Sequence, residues 1–222
     1  MFQVKKSDSG ITVGNILLLI FSFALIFLIP LLPATFYKPS YNILFSIIFF
    51  LSILSLHGRI KRRMIVIAII AFVTEWIAEI FKMDILKYTS SLVNVVFFQI
   101  IVIRLIIQIA RSKEVNTGVI LESVNAYLLL GLMFTSLVAV LNLHNSEALN
   151  FNTERATIQD FIYYTFVTIS TLGYGDVTPQ EPIGKSLSIL ISVSGQLYIA
   201  IIIAMLVGKF SGSMAAAKEK EI

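Results

Sequence analysis

Thr171-Leu172-Gly173-Tyr174-Gly175-Asp176 is the stretch of this 222-residue chain whose residue types and spacing could do chemistry. Two glycines at alternate positions allow backbone angles that other residues resist. A strand of this kind can turn successive main-chain carbonyls to one side, and such a row of oxygens can replace the water shell of a bare cation. The Thr171 hydroxyl adds an oxygen at one end and Asp176 a carboxylate at the other. Other chemistries are excluded early. The chain has no cysteine, so disulfides, thiolate catalysis and cysteine-ligated metals are out. Its two histidines, His57 and His144, lie far apart in sequence and suggest no metal cluster.

A row of carbonyls must be held at depth by something rigid. Hydrophobic residues make up 57% of the chain, charged residues only 14%, and the mean hydropathy is +0.90. A soluble domain carries about 25% charged residues, so the fold class expected is an all-α membrane protein. A bilayer core about 30 Å thick needs roughly 20 apolar residues as helix. Six stretches qualify as spans: residues 15–32, 41–56, 64–81, 91–110, 119–141 and 184–207. The first follows Lys5 and Lys6 as a signal peptide would, but it is long for one and no small-x-small cleavage site closes it. A seventh apolar run, Ile158–Ile169, is too short to span and reads as a re-entrant half-helix. Thr157 and Asp160 form a capping pattern at its start. Its carbonyl end, carrying partial negative charge from unpaired carbonyls, would favour a cation placed beyond it. With the N-terminus inside, Lys and Arg divide eleven to five across the membrane, Arg104 lying within a span. Both termini are therefore expected in the cytoplasm, with the cluster Arg59–Arg63 as the strongest anchor. The net charge of +4 is read as this topology signal, and no nucleic-acid partner is expected.

The stretch Thr171–Asp176 resembles the selectivity-filter signature of potassium channels, of which Thr-Val-Gly-Tyr-Gly is the standard instance. Half-helix, filter and flanking spans occur in the family's order over about residues 119–207. The resemblance implies a homotetramer around one pore, with K+ as the permeant ion bound at Thr171, Leu172, Gly173 and Tyr174, Gly175 completing the filter and Asp176 at the outer mouth. Tyr174 would turn from the axis and hold the strand against the short helices. Tyr163 and Tyr164 fall where the family places an aromatic cuff. Leu172 stands in place of the commoner valine, and Val167 in place of a glutamate found in some relatives. Between Asn142 and Lys185 five acids face two bases, −3 per chain, a balance that concentrates cations near the entrance. The domains expected are a cytoplasmic N-terminus (1–14), a four-helix voltage-sensor-like bundle (15–110), a linker (111–118), a pore domain (119–207) and a cytoplasmic tail (208–222), in a plasma or cell inner membrane. No reaction is catalysed on this reading. A weakly selective cation pore is the alternative among channels. Gly-Tyr-Gly-Asp also fits the Gly-x-Gly-Asp signature of intramembrane aspartyl proteases, but these need two membrane-embedded aspartates, and Asp8, Asp84 and Asp160 lie in no long span.

In the last span Gly195 costs about 1 kcal/mol against alanine. The resemblance makes it a gating hinge, while close packing against a neighbouring helix explains it equally. Gln196, Ile199, Ile203 and Val207 share a helical face that by resemblance lines the cavity, Ile203 and Val207 as a hydrophobic gate. Gln196 is either a polar cavity residue or a bond to a neighbouring helix. The fourth span holds one arginine, Arg104, too little charge for steep voltage sensing. Glu75 and Glu79, one turn apart in the third span, are natural partners for Arg104 or Lys82, as a remnant of a sensor or a static ion pair. The gating stimulus stays open: membrane lipid, tension, pH, an ion, or a regulatory partner or cytoplasmic domain outside this sequence.

Overall fold

A computed structural model describes residues 8–56, 59–81, 84–112, 116–153 and 155–219. The protein is mostly helical, at 81%. In chain order the elements are α1 (Asp8–Phe23), α2 (Ala34–Leu54), α3 (Arg59–Ile80), α4 (Asp84–Ala110), α5 (Thr117–His144), β1 (Leu149–Asn150), α6 (Ile158–Ile169), β2 (Thr178–Pro179) and α7 (Pro182–Glu219). Helices overrun the apolar stretches because those measure only the membrane, whereas a helix continues while its residues tolerate one. Thus α3 begins on the basic cluster and α7 runs through Gly208 to Glu219. Among the described residues, four helical segments are long and apolar enough to cross a membrane: Val13–Leu31, Leu92–Ala110, Thr117–His144 and Pro182–Gly208, with Pro39–Leu54 a shorter apolar helix. The protein is a multi-pass membrane protein.

The chain divides into two compact units, one of residues 1–126 with 208–222 and one of residues 127–207. In the first, α1 continues as a π-turn over Ala24–Leu28 and a 3-10 turn over Ile29–Leu31. Pro30, which has no N–H to give, sits where the regular ladder gives way. Phe98, Leu18, Leu25, Ile48, Ile53 and Ile101 are fully buried. Phe98 packs on Phe45 at 5.3 Å and on Phe49 at 6.0 Å between ring centres. A polar cluster joins one end of four helices. Ser55 Oγ donates to Asn15 Oδ1 (2.9 Å), Asn15 Nδ2 to Glu122 Oε1 (3.1 Å), Asn125 Nδ2 to the Asn15 carbonyl (2.8 Å), and Gln108 Nε2 to the Ser55 carbonyl (3.1 Å). The start of α1, the ends of α2 and α4 and the start of α5 therefore lie together, as helices running alternately up and down require.

In the second unit the core is built from Leu129, Leu132, Ile169 and Ile191, all essentially inaccessible, with Phe161 and Ile162. Gly131 lets α5 approach α6 closely: a Cβ there would lie 2.3 Å from the Phe166 ring. β1 and β2 form a two-stranded antiparallel ladder, Leu149 opposite Pro179 and Asn150 opposite Thr178. No strand was expected in an all-α chain, and two-residue strands are too short to show any alternation in sequence.

Candidate functional site

The half-helix α6 coincides with the apolar run Ile158–Ile169. Its start is capped as the Thr157/Asp160 spacing predicts. Asp160 Oδ2 accepts both the Thr157 backbone N–H (2.7 Å) and the Thr157 hydroxyl (2.8 Å).

Three carbonyls near the end of α6, those of Phe166, Val167 and Thr168, accept hydrogen bonds from the segment that follows. Ser170 N–H donates to the Phe166 carbonyl (3.2 Å) and Thr171 N–H to the Thr168 carbonyl (3.0 Å). Leu172 and Gly173 both donate to the Val167 carbonyl, at 3.0 and 3.2 Å. These bonds tether the next strand to the end of α6. This tether also sets the direction of the oxygens. A trans peptide holds N–H and C=O on opposite sides, and the described chain has no cis bond. Since the Leu172 and Gly173 amides face α6, the carbonyls of Thr171 and Leu172 both face away from it. A regular β-strand turns consecutive carbonyls to opposite sides, so another backbone is needed. Thr171, Gly173 and Gly175 have φ of 60°, 57° and 80°, while Leu172 and Tyr174 have negative values. This alternation of hand keeps successive carbonyls on one side. For Thr171, a β-branched residue, the left-handed conformation costs about 1–2 kcal/mol, which the Thr168 and Val167 tethers offset.

Residues 171–176 are all exposed within one chain. Apart from the adjoining residues, no atom of the described residues lies within 4 Å of where a Cβ would stand on Gly173 or Gly175. Tyr174 is 67% exposed within one chain. The two cuff tyrosines part company. The Tyr163 hydroxyl donates to Asp176 Oδ2 (2.6 Å), and this bond pushes its phenol up to about 12. Tyr164 is buried, and its hydroxyl pairs with Ser188 Oγ on α7 at 2.5 Å. Asp176 is held further. Its Oδ1 accepts the Val177 N–H (3.1 Å) and its carbonyl accepts Asn152 Nδ2 (2.6 Å). Asn152, at φ 53°, was not singled out from sequence. The one available hint was asparagine's tolerance of left-handed turns.

On α7, Gly195 is buried against the end of α6. A Cβ there would lie 2.3 Å from the Ile169 carbonyl oxygen and 2.5 Å from Ile169 Cγ1. Close packing is reason enough for a glycine here. Gln196 is exposed, and its Nε2 donates to Thr171 Oγ1 at 3.3 Å. Ile199, Ile203 and Val207 are exposed along α7. Arg104 is exposed on α4, while the side chains of Glu75 and Glu79 lie outside the described residues. The arrangement can present a wall of main-chain oxygens to a dehydrated cation. A single chain supplies only one side of the cage that a dehydrated ion needs.

Residues 124–211 match a family model described as ion channel. Over 59 residues the chain is 41% identical to the potassium voltage-gated channel protein Shal of Drosophila melanogaster, a stretch covering 27% of this chain and 10% of that protein. Over 49 residues it is 45% identical to the A-type voltage-gated potassium channel KCND3 of Homo sapiens and of Rattus norvegicus, covering 22% of this chain and 8% of each. The chain thus matches about a tenth or less of the length of these curated relatives. No solved structure matches it. The matches point to a channel protein and not to an enzyme.

Proposed function

We propose that the chain is one subunit of a tetrameric potassium-selective channel that passes K+ passively, with weak or no voltage sensing. The observation that carries this reading is the backbone of residues 171–175: alternating hand along the segment, the amides of residues 171–173 tied to α6, and the carbonyls of Thr171 and Leu172 turned the other way. Four such walls around an axis make stacked rings of oxygen that exchange for the water shell of a potassium ion. The exposure of Leu172 (56%) and Tyr174 (67%) fits side chains whose packing partners are other copies of the chain. Thr171 would supply a hydroxyl to the innermost ring, Asp176 the acidic outer mouth, and Ile199, Ile203 and Val207 the apolar lining of the inner pathway.

Six spans, α1 to α5 and α7, would cross a plasma or cell inner membrane with both termini cytoplasmic. The polar cluster at Asn15, Ser55, Gln108 and Glu122 supports that topology, since it collects the helix ends that would face the cytoplasm. The relatives are named as voltage-gated, but α4 here offers Arg104 as the one arginine within its apolar run, so the first four helices would serve as a scaffold more than a sensor.

The test is flux from liposomes containing the purified chain. Potassium should pass, sodium should be excluded, and barium should block. Sodium passing as fast as potassium would favour a non-selective cation pore. Absence of any flux, with peptide cleavage that Asp176→Asn abolishes, would replace the channel reading with a protease.

A further inference from the structure

The contact between Gln196 and Thr171 has a consequence for how ions enter from the α7 side. Thr171 Oγ1 gives its proton to the Ser170 carbonyl (2.6 Å) and accepts Gln196 Nε2–H (3.3 Å). A hydroxyl oxygen has one proton and two lone pairs. Here the proton is directed to Ser170 and one lone pair is taken by an amide. The positive end of that N–H dipole is aimed at the same oxygen a cation would use. The bond lies at the long end of the range and its donor is an exposed side chain, so it can be given up at small cost. Gly195 makes the reach possible. Without a Cβ, α7 lies so close to the Ile169 carbonyl that the next residue, Gln196, spans to Thr171, two positions beyond Ile169. One contact thus positions both the donor's helix and the acceptor's strand.

We infer that Gln196 competes with the permeating cation for the Thr171 hydroxyl, so that α7 sets the cation affinity of the innermost oxygen ring. This rests on the channel reading above. With the ring empty the amide holds the oxygen; a cation arriving there displaces it. Anything that shifts α7 along the Ile169 contact changes how strongly the ring holds its ion, without moving the carbonyl rings beyond it. Gln196 is in this sense a positioning and affinity-setting residue acting through Thr171.

Barium is a suitable probe, because it has nearly the radius of potassium and twice its charge, so oxygen rings hold it long enough to measure block. The full chain is recorded in planar bilayers with barium added on the side where α7 ends. Gln196→Leu, which keeps the size and removes the donor, should tighten block roughly five- to tenfold. Gln196→Asn is one methylene too short to reach and should behave as Gln196→Leu does. With Thr171→Ala the oxygen is gone and Gln196→Leu should add nothing, whereas with Thr171→Ser it should keep its effect. Block unchanged in both Gln196 variants overturns the inference, as does an equal effect of Gln196→Leu with and without the Thr171 hydroxyl. If one variant fails to assemble, the other Gln196 variant and the serine background still decide it. A wild-type chain that passes no potassium overturns the channel reading instead. Potassium current with block insensitive to Gln196 overturns this inference alone.

Discussion

Gly195→Ala places a methyl carbon where the Ile169 carbonyl oxygen is 2.3 Å away and Ile169 Cγ1 is 2.5 Å away. Ordinary van der Waals contact begins near 3.4 Å, so α7 and the end of α6 must part by roughly 1 Å. Helix propensity alone favours alanine by about 1 kcal/mol. Overpacking of this size costs typically about 1–3 kcal/mol, and the upper part of that range applies where the obstacle is backbone. The net expectation is destabilisation by about 1–2 kcal/mol, a fall of about 2–8 °C in thermal midpoint for a chain of this size. Gly208, on the same helix, has no atom of the described residues within 4 Å of its Cβ position beyond its own stretch of helix, so Gly208→Ala should gain the propensity without the clash and move the midpoint upward. Thermal unfolding of both variants in detergent, followed by the fluorescence of Trp76, reads the two signs. Potassium flux should fall in Gly195→Ala as well, because the amides of residues 170–173 hang on the last carbonyls of α6. If Gly195→Ala is as stable as wild type or more so and conducts normally, the close approach is not real, and a hinge would be the better account of this glycine.

Tyr163→Phe removes the bond to Asp176 and should lower potassium-over-sodium permeability a few-fold in reversal-potential measurements; an unchanged ratio would show that Asn152 and Val177 hold Asp176 without it. The same bond raises the phenol, so its contribution is whole below the ordinary value of 10.0 and is lost as pH rises through about 12; phenolate absorbance of wild type minus Tyr163→Phe should show a tyrosine titrating in that window. Thr165→Val should be stabilising, because Thr165 is fully buried and its hydroxyl has no hydrogen-bond partner among the described residues; removing it while keeping the shape is worth about 1 kcal/mol, or about 2–4 °C, and a lower midpoint would reveal a partner for that oxygen. Arg104→Gln should leave the steepness of the conductance–voltage relation nearly unchanged, since one charge moved through the whole field contributes about 2.3 kcal/mol per 100 mV; a steep wild-type relation flattened by this change would show that α4 is a working sensor.

Much of this protein follows from residue order alone. Apolar runs report the membrane because lipid leaves a backbone no partner but itself, and those runs appear as helices, the short one over Ile158–Ile169 included. The Thr157/Asp160 cap was legible because both ends of that bond lie three residues apart. The glycine spacing marked a place for backbone angles that other residues resist, and Gly173 and Gly175 have φ of 57° and 80°. What residue order could not carry is proximity between distant positions. Nothing local joins Asn152 to Asp176, Gln196 to Thr171, or Leu149 to Pro179. Whether Gly195 bends or packs depends on which atom stands opposite its missing Cβ, and that atom belongs to another helix. The end of α6 shows the same division. A helix of that length must finish with orphan carbonyls, but only the folded chain determines that the following strand takes them, turning its own oxygens outward.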